Sequence, residues 1–142
     1  MLMPDVNVLV YAHRSEAHRH EASAAWITNL ATSEEIFALS EIVMWGFVRI
    51  VTNRKIFDPP STRAEAFAFL DQLRNRPTCR VMRPGKRHWG LFTRLCHQAG
   101  ATGKLTADAC HAALAVECGC EWVTYDSDFS RFQPLLRCQL LK

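Results

Sequence analysis

Met3-Pro4-Asp5-Val6-Asn7-Val8-Leu9-Val10-Tyr11 is the stretch whose reading decides the fold class. It is apolar and β-branched, with polar breaks only at Asp5 and Asn7, and that pattern predicts a strand buried on both faces. Such a strand belongs in a parallel sheet covered by helices. Downstream, Ser15 offers an N-cap for a helix to about Ala31, and Ile36-Phe37-Ala38-Leu39 reads as a second strand ending at Ser40. Met44, Phe47, Val48 and Val51 then repeat at helical spacing. Asp58-Pro59-Pro60 breaks the chain, and Thr62 with Glu65 forms a capping-box pattern ahead of Ala66, Phe69, Leu70 and Leu73. Arg80-Val81-Met82 reads as a strand, His88 to Gln98 as a helix closed at Gly100, and Leu105 to Cys118 as an alanine-rich helix stopped by Gly119. Glu121-Trp122-Val123-Thr124 makes the next strand, and a last one is expected near Arg137 to Leu141. Strands alternating with helices predict an α/β three-layer sandwich with a mostly parallel central sheet, in one domain over residues 1–142.

Composition agrees with a globular chain. At 142 residues one domain buries roughly 68% of its unfolded surface, and 49% hydrophobic with 22% charged residues excludes disorder. The apolar runs Val8-Leu9-Val10 and Ile42-Val43-Met44-Trp45 fall short of the ~18 residues that span a bilayer. The start lacks a basic segment and carries Asp5 inside its apolar stretch, so no secretory signal is expected and the cytoplasm is the default compartment. A net charge of +3 permits a polyanionic partner without identifying one. The six cysteines are expected as thiols, since Cys118-Gly119-Cys120 lacks the spacer and the second pair of a zinc ribbon. His18 and His20 cannot share a helix face and read as solvated side chains.

The carboxylates carry the chemistry. Asp5 inside a buried strand costs several kcal/mol unless a cation compensates it. Asp126 follows Val123-Thr124 at a strand end with Asp128 beside it, the edge where α/β sheets bind ligands. Asp108 is expected in the first turn of the alanine-rich helix, where the helix dipole favours a negative charge. Glu41 opens the second helix on the face expected to pack inward. Acids distant in sequence, each at a strand end or helix start, make the pattern of a Mg²⁺ or Mn²⁺ site, because hard cations take oxygen ligands. Two such ions can promote in-line attack on a phosphodiester. Each acid also has a plain alternative as a helix-start or turn residue.

Four segments together resemble the successive motifs of PIN-domain ribonucleases: Asp5 to Tyr11, Gly46 to Asn53, Asp108 to Ala115, and Val123 to Phe129. More narrowly the chain resembles VapC toxins of type II toxin–antitoxin systems, and Pro84-Gly85-Lys86-Arg87-His88-Trp89 fits one VapC subgroup. The resemblance implies that Asp5, Asp108 and Asp126 are metal ligands and catalytic acids, with Asn7 and Thr124 as polar helpers and Asp128 as an accessory acid. It departs at the glutamate, which in many PIN domains lies six residues after the serine ending the second strand. That position is Gly46 here, whereas Glu41 directly follows Ser40, an arrangement some VapC-like sequences share. Glu41 is accordingly the fourth expected catalytic acid. The resemblance further implies a Mg²⁺- or Mn²⁺-dependent endoribonuclease, a VapB-type antitoxin covering the acidic site, a homodimer, and a toxin–antitoxin hetero-oligomer. Arg49, Arg54, Lys55, Arg83, Lys86 and Arg87 are candidates to grip RNA phosphates.

Two other classes compete. A phosphatase with an aspartate nucleophile would also use an acid after an early strand, but it wants a second acid two residues on, where Asn7 stands. A catalytically weak module binding an ion or a basic peptide is compatible with Gly46 at the family's glutamate position.

Overall fold

The computed structural model describes residues 1–142. Its strands are β1 (Leu2–Pro4), β2 (Phe37–Ser40), β3 (Cys79–Met82), β4 (Glu121–Thr124) and β5 (Cys138–Leu140). Its helices are α1 (Val6–His13), α2 (His20–Thr32), α3 (Glu41–Val51), α4 (Arg63–Arg74), α5 (His88–Ala99) and α6 (Lys104–Glu117), with a short 3-10 helix at Ser127–Phe132. Every hydrogen-bonded strand pair is parallel: β4 sits between β1 and β5, and β3 pairs with β2. Strand β2 runs beside β1. Helix α1 packs on both α2 and α3, α3 packs on α4, and α5 packs on α6, so two helical groups cover an α/β core with a parallel sheet. The strands themselves are dry, with Met3, Phe37, Ala38, Leu39, Trp122 and Val123 fully buried.

Local signals explain most element boundaries. Ser40 caps α3 by accepting from Val43 N at 3.2 Å. Thr62 and Glu65 form the reciprocal capping box of α4, and Gly100 closes α5 in the left-handed conformation at φ 61°.

Three expectations are corrected. The stretch Met3–Tyr11 is not one strand: β1 stops at Pro4, and Asp5 caps helix α1 by accepting from Val6 N at 2.6 Å. Val8, Leu9 and Val10 are all buried because α1 is wedged against β4, α2 and α3, and a helix covered on every side carries the same continuous apolar run as a buried strand. Helix α2 starts at His20 rather than after Ser15. Ser15 stays exposed in a turn whose neighbour Arg14 reaches Pro59 O at 2.8 Å and Ser61 Oγ at 3.0 Å. Asp108 lies in the second turn of α6 instead of the first, since the helix begins at Lys104.

Candidate active site

Parallel pairing of β1, β4 and β5 brings their carboxyl ends to one edge, and the acids gather there. Pro4 is in register with Val123, so Asp5 emerges beside the end of β4, with its N–H donating to Val123 O at 2.8 Å. Thr124 is the hub. Its hydroxyl donates to Asp5 Oδ2 at 2.6 Å and accepts from Asp126 N at 3.0 Å and from Asn7 Nδ2 at 3.3 Å. Asn7 Oδ1 in turn accepts from Tyr125 N at 3.5 Å, which ties α1 to the strand end. Asp126 caps the 3-10 helix and accepts from Asp128 N at 2.9 Å.

Asp108, Asp126 and Asp128 present carboxylate oxygens within 4.8 Å of one another. Asp108 is 9% exposed, and its Oδ2 is buried without a hydrogen-bond partner. Small neighbours Ala109, Ala112 and Ala113 allow α6 to approach this closely. Asp5 is only 4% exposed. Burial pushes its carboxyl up to about 6, with smaller upward contributions from the charges of Asp108 and Asp126, against the lowering bonds from Thr124 and Val6. Asp108 is raised too, by burial first and then by Asp126 and Asp128, while Lys104 one turn earlier opposes the shift. Crowded carboxylates destabilised in their charged form, with one oxygen left unbonded, fit a divalent cation with oxygen ligands. Lys104 was missed in the sequence, although its i, i+4 spacing to Asp108 was visible there.

The cluster gives the metal-free protein opposing proton linkages. Asp5 goes from 3.8 to about 6 on folding, so its contribution is fully present below about pH 4 and is lost as pH rises through 6. His111 on α6 stacks on Trp122 with ring centroids 5.5 Å apart, and burial lowers it from 6.5 to about 4. Its contribution is present above pH 6.5 and is lost as pH falls toward 4. Each effect is on the order of 3 kcal/mol. Urea titration of the metal-free protein is therefore expected to show the His111 loss offset by the Asp5 and Asp108 gains between these two limits.

Glu41 is not among the acids whose oxygens lie within 4.8 Å of one another. Its side chain is 49% exposed and accepts from Arg83 Nε at 2.6 Å. It borders the α3–α4 groove with Met44, Trp45 and Val48. The inward face of α3 begins instead with Val43 and Met44, because Ser40 caps the helix and turns its first residue outward. Gly46 faces α1, with Val6 Cγ2 3.9 Å from where a Cβ would stand, and so adds no acid there. An exposed ion pair contributes little. Glu41→Gln is expected to leave turnover within about twofold of wild type and stability within ~0.5 kcal/mol; a loss near 10²-fold in a cleavage assay would return Glu41 to the site. Among the basic candidates, Arg83 is engaged with Glu41 and Arg87 with Glu117. Arg49 lies over Trp45 at 5.7 Å.

The PIN domain pattern covers residues 2–133. Ribonuclease VapC25 of Mycobacterium tuberculosis is 41% identical over 132 residues, 93% of each chain. This chain belongs to the VapC family of PIN-domain proteins. VapC ribonuclease Mb2897 of Mycobacterium bovis is 40% identical over 135 residues, 95% of this chain and 92% of that one. The fold is shared with the crystal structure of VapBC2 from Rickettsia felis bound to a promoter DNA fragment, at a TM-score of 0.72 and 19% identity over 99% of this chain and 98% of that one. It is also shared with Mycobacterium tuberculosis VapC20, a toxin cleaving the sarcin–ricin loop, at a TM-score of 0.65 and 16% identity over 92% and 93% of the two chains. PIN-domain nucleases use a divalent metal, and this VapC-family chain has an acidic cluster. No helix is long and apolar enough to cross a membrane.

Proposed function

We propose that this VapC-family chain is an endoribonuclease toxin that hydrolyses RNA phosphodiester bonds with Mg²⁺ or Mn²⁺ held by Asp108, Asp126, Asp128 and Asp5. The observation that carries the reading is the buried, unbonded Oδ2 of Asp108 beside Asp126 and Asp128. When bound, the divalent ion activates water and neutralises charge on the leaving oxygen. The protein's own groups prepare that site. Thr124 holds Asp5 Oδ2 and the Asp126 backbone in one arrangement, and Asn7 holds Thr124. Asp126 fixes the turn that carries Asp128. Neutral pH leaves Asp5 ionised, since its carboxyl titrates at about 6. The basic surface of a chain with net charge +3 offsets the repulsion between an acidic centre and an RNA phosphate.

The relatives' membership of toxin–antitoxin pairs supports a VapB-type antitoxin as partner in the cytoplasm, with the toxin dimeric and the pair forming a hetero-oligomer. The test is incubation of the purified chain with RNA and Mn²⁺ or Mg²⁺. Cleavage that vanishes with EDTA and returns with added metal is the expected result. Metal binding by calorimetry without cleavage of any RNA would replace the enzyme with an ion-binding interaction module.

A further inference from the structure

Next to the acids lies a second feature that the reaction scheme does not use. The turn between α1 and α2, together with the chain after β5, encloses an open cleft lined by His18, Arg19, His20, Glu21 and Lys142. It reaches the reacting edge through Tyr125, which stands between Thr124 and Asp126. The Arg19 guanidinium lies 4.8 Å above the Tyr125 ring. That ring is itself fixed, because its hydroxyl bonds the buried Ser23 Oγ at 2.7 Å and Tyr11 packs 5.5 Å away. On the far side Leu141 N donates to Thr124 O at 2.8 Å, which places Lys142 beside the same strand end. His20 Nδ1 lies 2.9 Å from Tyr11 O. A carbonyl only accepts, so Nδ1 carries the hydrogen and Nε2 is left for another partner.

The chemistry of the cleft favours a polyanion. Arg19 and Lys142 take part in none of the protein's ion pairs, unlike Arg83, whose charge Glu41 meets. The cleft contains none of the large exposed hydrophobic side chains, such as Trp45, Phe67 and Trp89, that an apolar peptide would seek. An arginine held over an aromatic ring keeps N–H groups free for phosphate oxygens and loses little rotamer freedom on binding. Building on the nuclease reading, we infer that this cleft seats the sugar–phosphate backbone of the RNA strand flanking the scissile bond, with Arg19 as its positioning residue.

The test is steady-state cleavage of a labelled single-stranded RNA in Mn²⁺ by wild type, Arg19→Glu, Arg19→Gln and Arg63→Glu, the last making the same net charge change at an exposed position of α4. Arg19→Glu is expected to raise KM about 10-fold or more and to reduce the salt slope of log kcat/KM by about one, with kcat and Mn²⁺ affinity by calorimetry nearly unchanged. Arg19→Gln should fall between wild type and Arg19→Glu, and it keeps the test valid if the charge reversal disturbs folding. Equal KM and salt slope for the Arg19 and Arg63 variants would overturn the inference while leaving the nuclease intact. Loss of antitoxin binding with unchanged RNA kinetics would overturn it equally, by making the cleft a protein contact. A wild-type chain that cleaves no RNA with any metal would remove the nuclease reading first, and this inference with it.

Discussion

Asp5→Asn is expected to lower RNA cleavage by at least ~10³-fold while leaving the metal-free protein folded and, near pH 7.5, more stable than wild type. The two effects have one cause. Asp5 is 4% exposed, and burial together with Asp108 and Asp126 destabilises its charge. Ionising it in the native state costs on the order of 3 kcal/mol, which a neutral amide of the same shape avoids. Part of that gain is offset because Thr124 loses its carboxylate acceptor, so a rise in melting temperature of a few degrees is the net expectation. The pH dependence carries a further signature. With Asp5 gone, His111 is opposed only by the raised Asp108, and stability should fall more steeply than in wild type as pH drops from 6.5 toward 4. Melting curves, urea titrations across that range and cleavage rates in Mn²⁺ decide the matter together. A variant retaining wild-type metal-dependent turnover would remove Asp5 from the catalytic centre.

Thr124→Val should be damaging in both stability and rate, although it changes neither size nor charge. The hydroxyl serves three partners in a fully buried position, namely Asp5 Oδ2, Asp126 N and Asn7 Nδ2. Valine leaves them facing a methyl group, and unpaired buried polar groups of this kind cost ~2–4 kcal/mol in total. The Thr124 bond is also the largest influence lowering the Asp5 carboxyl. Its loss should move Asp5 further up, so the acid limb of the pH–rate profile shifts to higher pH and turnover at neutral pH drops about 10-fold or more. Thr124→Ser, which restores the hydroxyl, should recover most of both properties. A valine variant with wild-type urea midpoint and pH profile would show that Thr124 only fills space.

Elements set by near neighbours were legible in the sequence. The Thr62–Glu65 capping box, the Ser40 cap of α3 and the Gly100 stop of α5 each depend on residues a few positions apart. The order and types of the acids were legible as well, because a hard-cation site requires carboxylates at the ends of elements. Met3–Tyr11 misled because a run of buried apolar residues has no periodicity to separate strand from helix; the deciding features are Pro4 and the cap made by Asp5, which also belongs to the site. The direction of the Glu41 side chain was not legible for a related reason. A capped helix start fixes where the backbone begins, and only the packing of Val43, Met44 and Phe47 fixes which way residue 41 points.

The sequence by itself thus determined the α/β class, most element boundaries and a set of acids suited to a metal. The tertiary structure alone decided which acids meet. Thr124 reaches Asp5 across 119 positions, and Arg19 meets Tyr125 across a comparable span. Such contacts arise because parallel strands place their carboxyl ends at one edge whatever their separation along the chain, and no local propensity encodes that pairing.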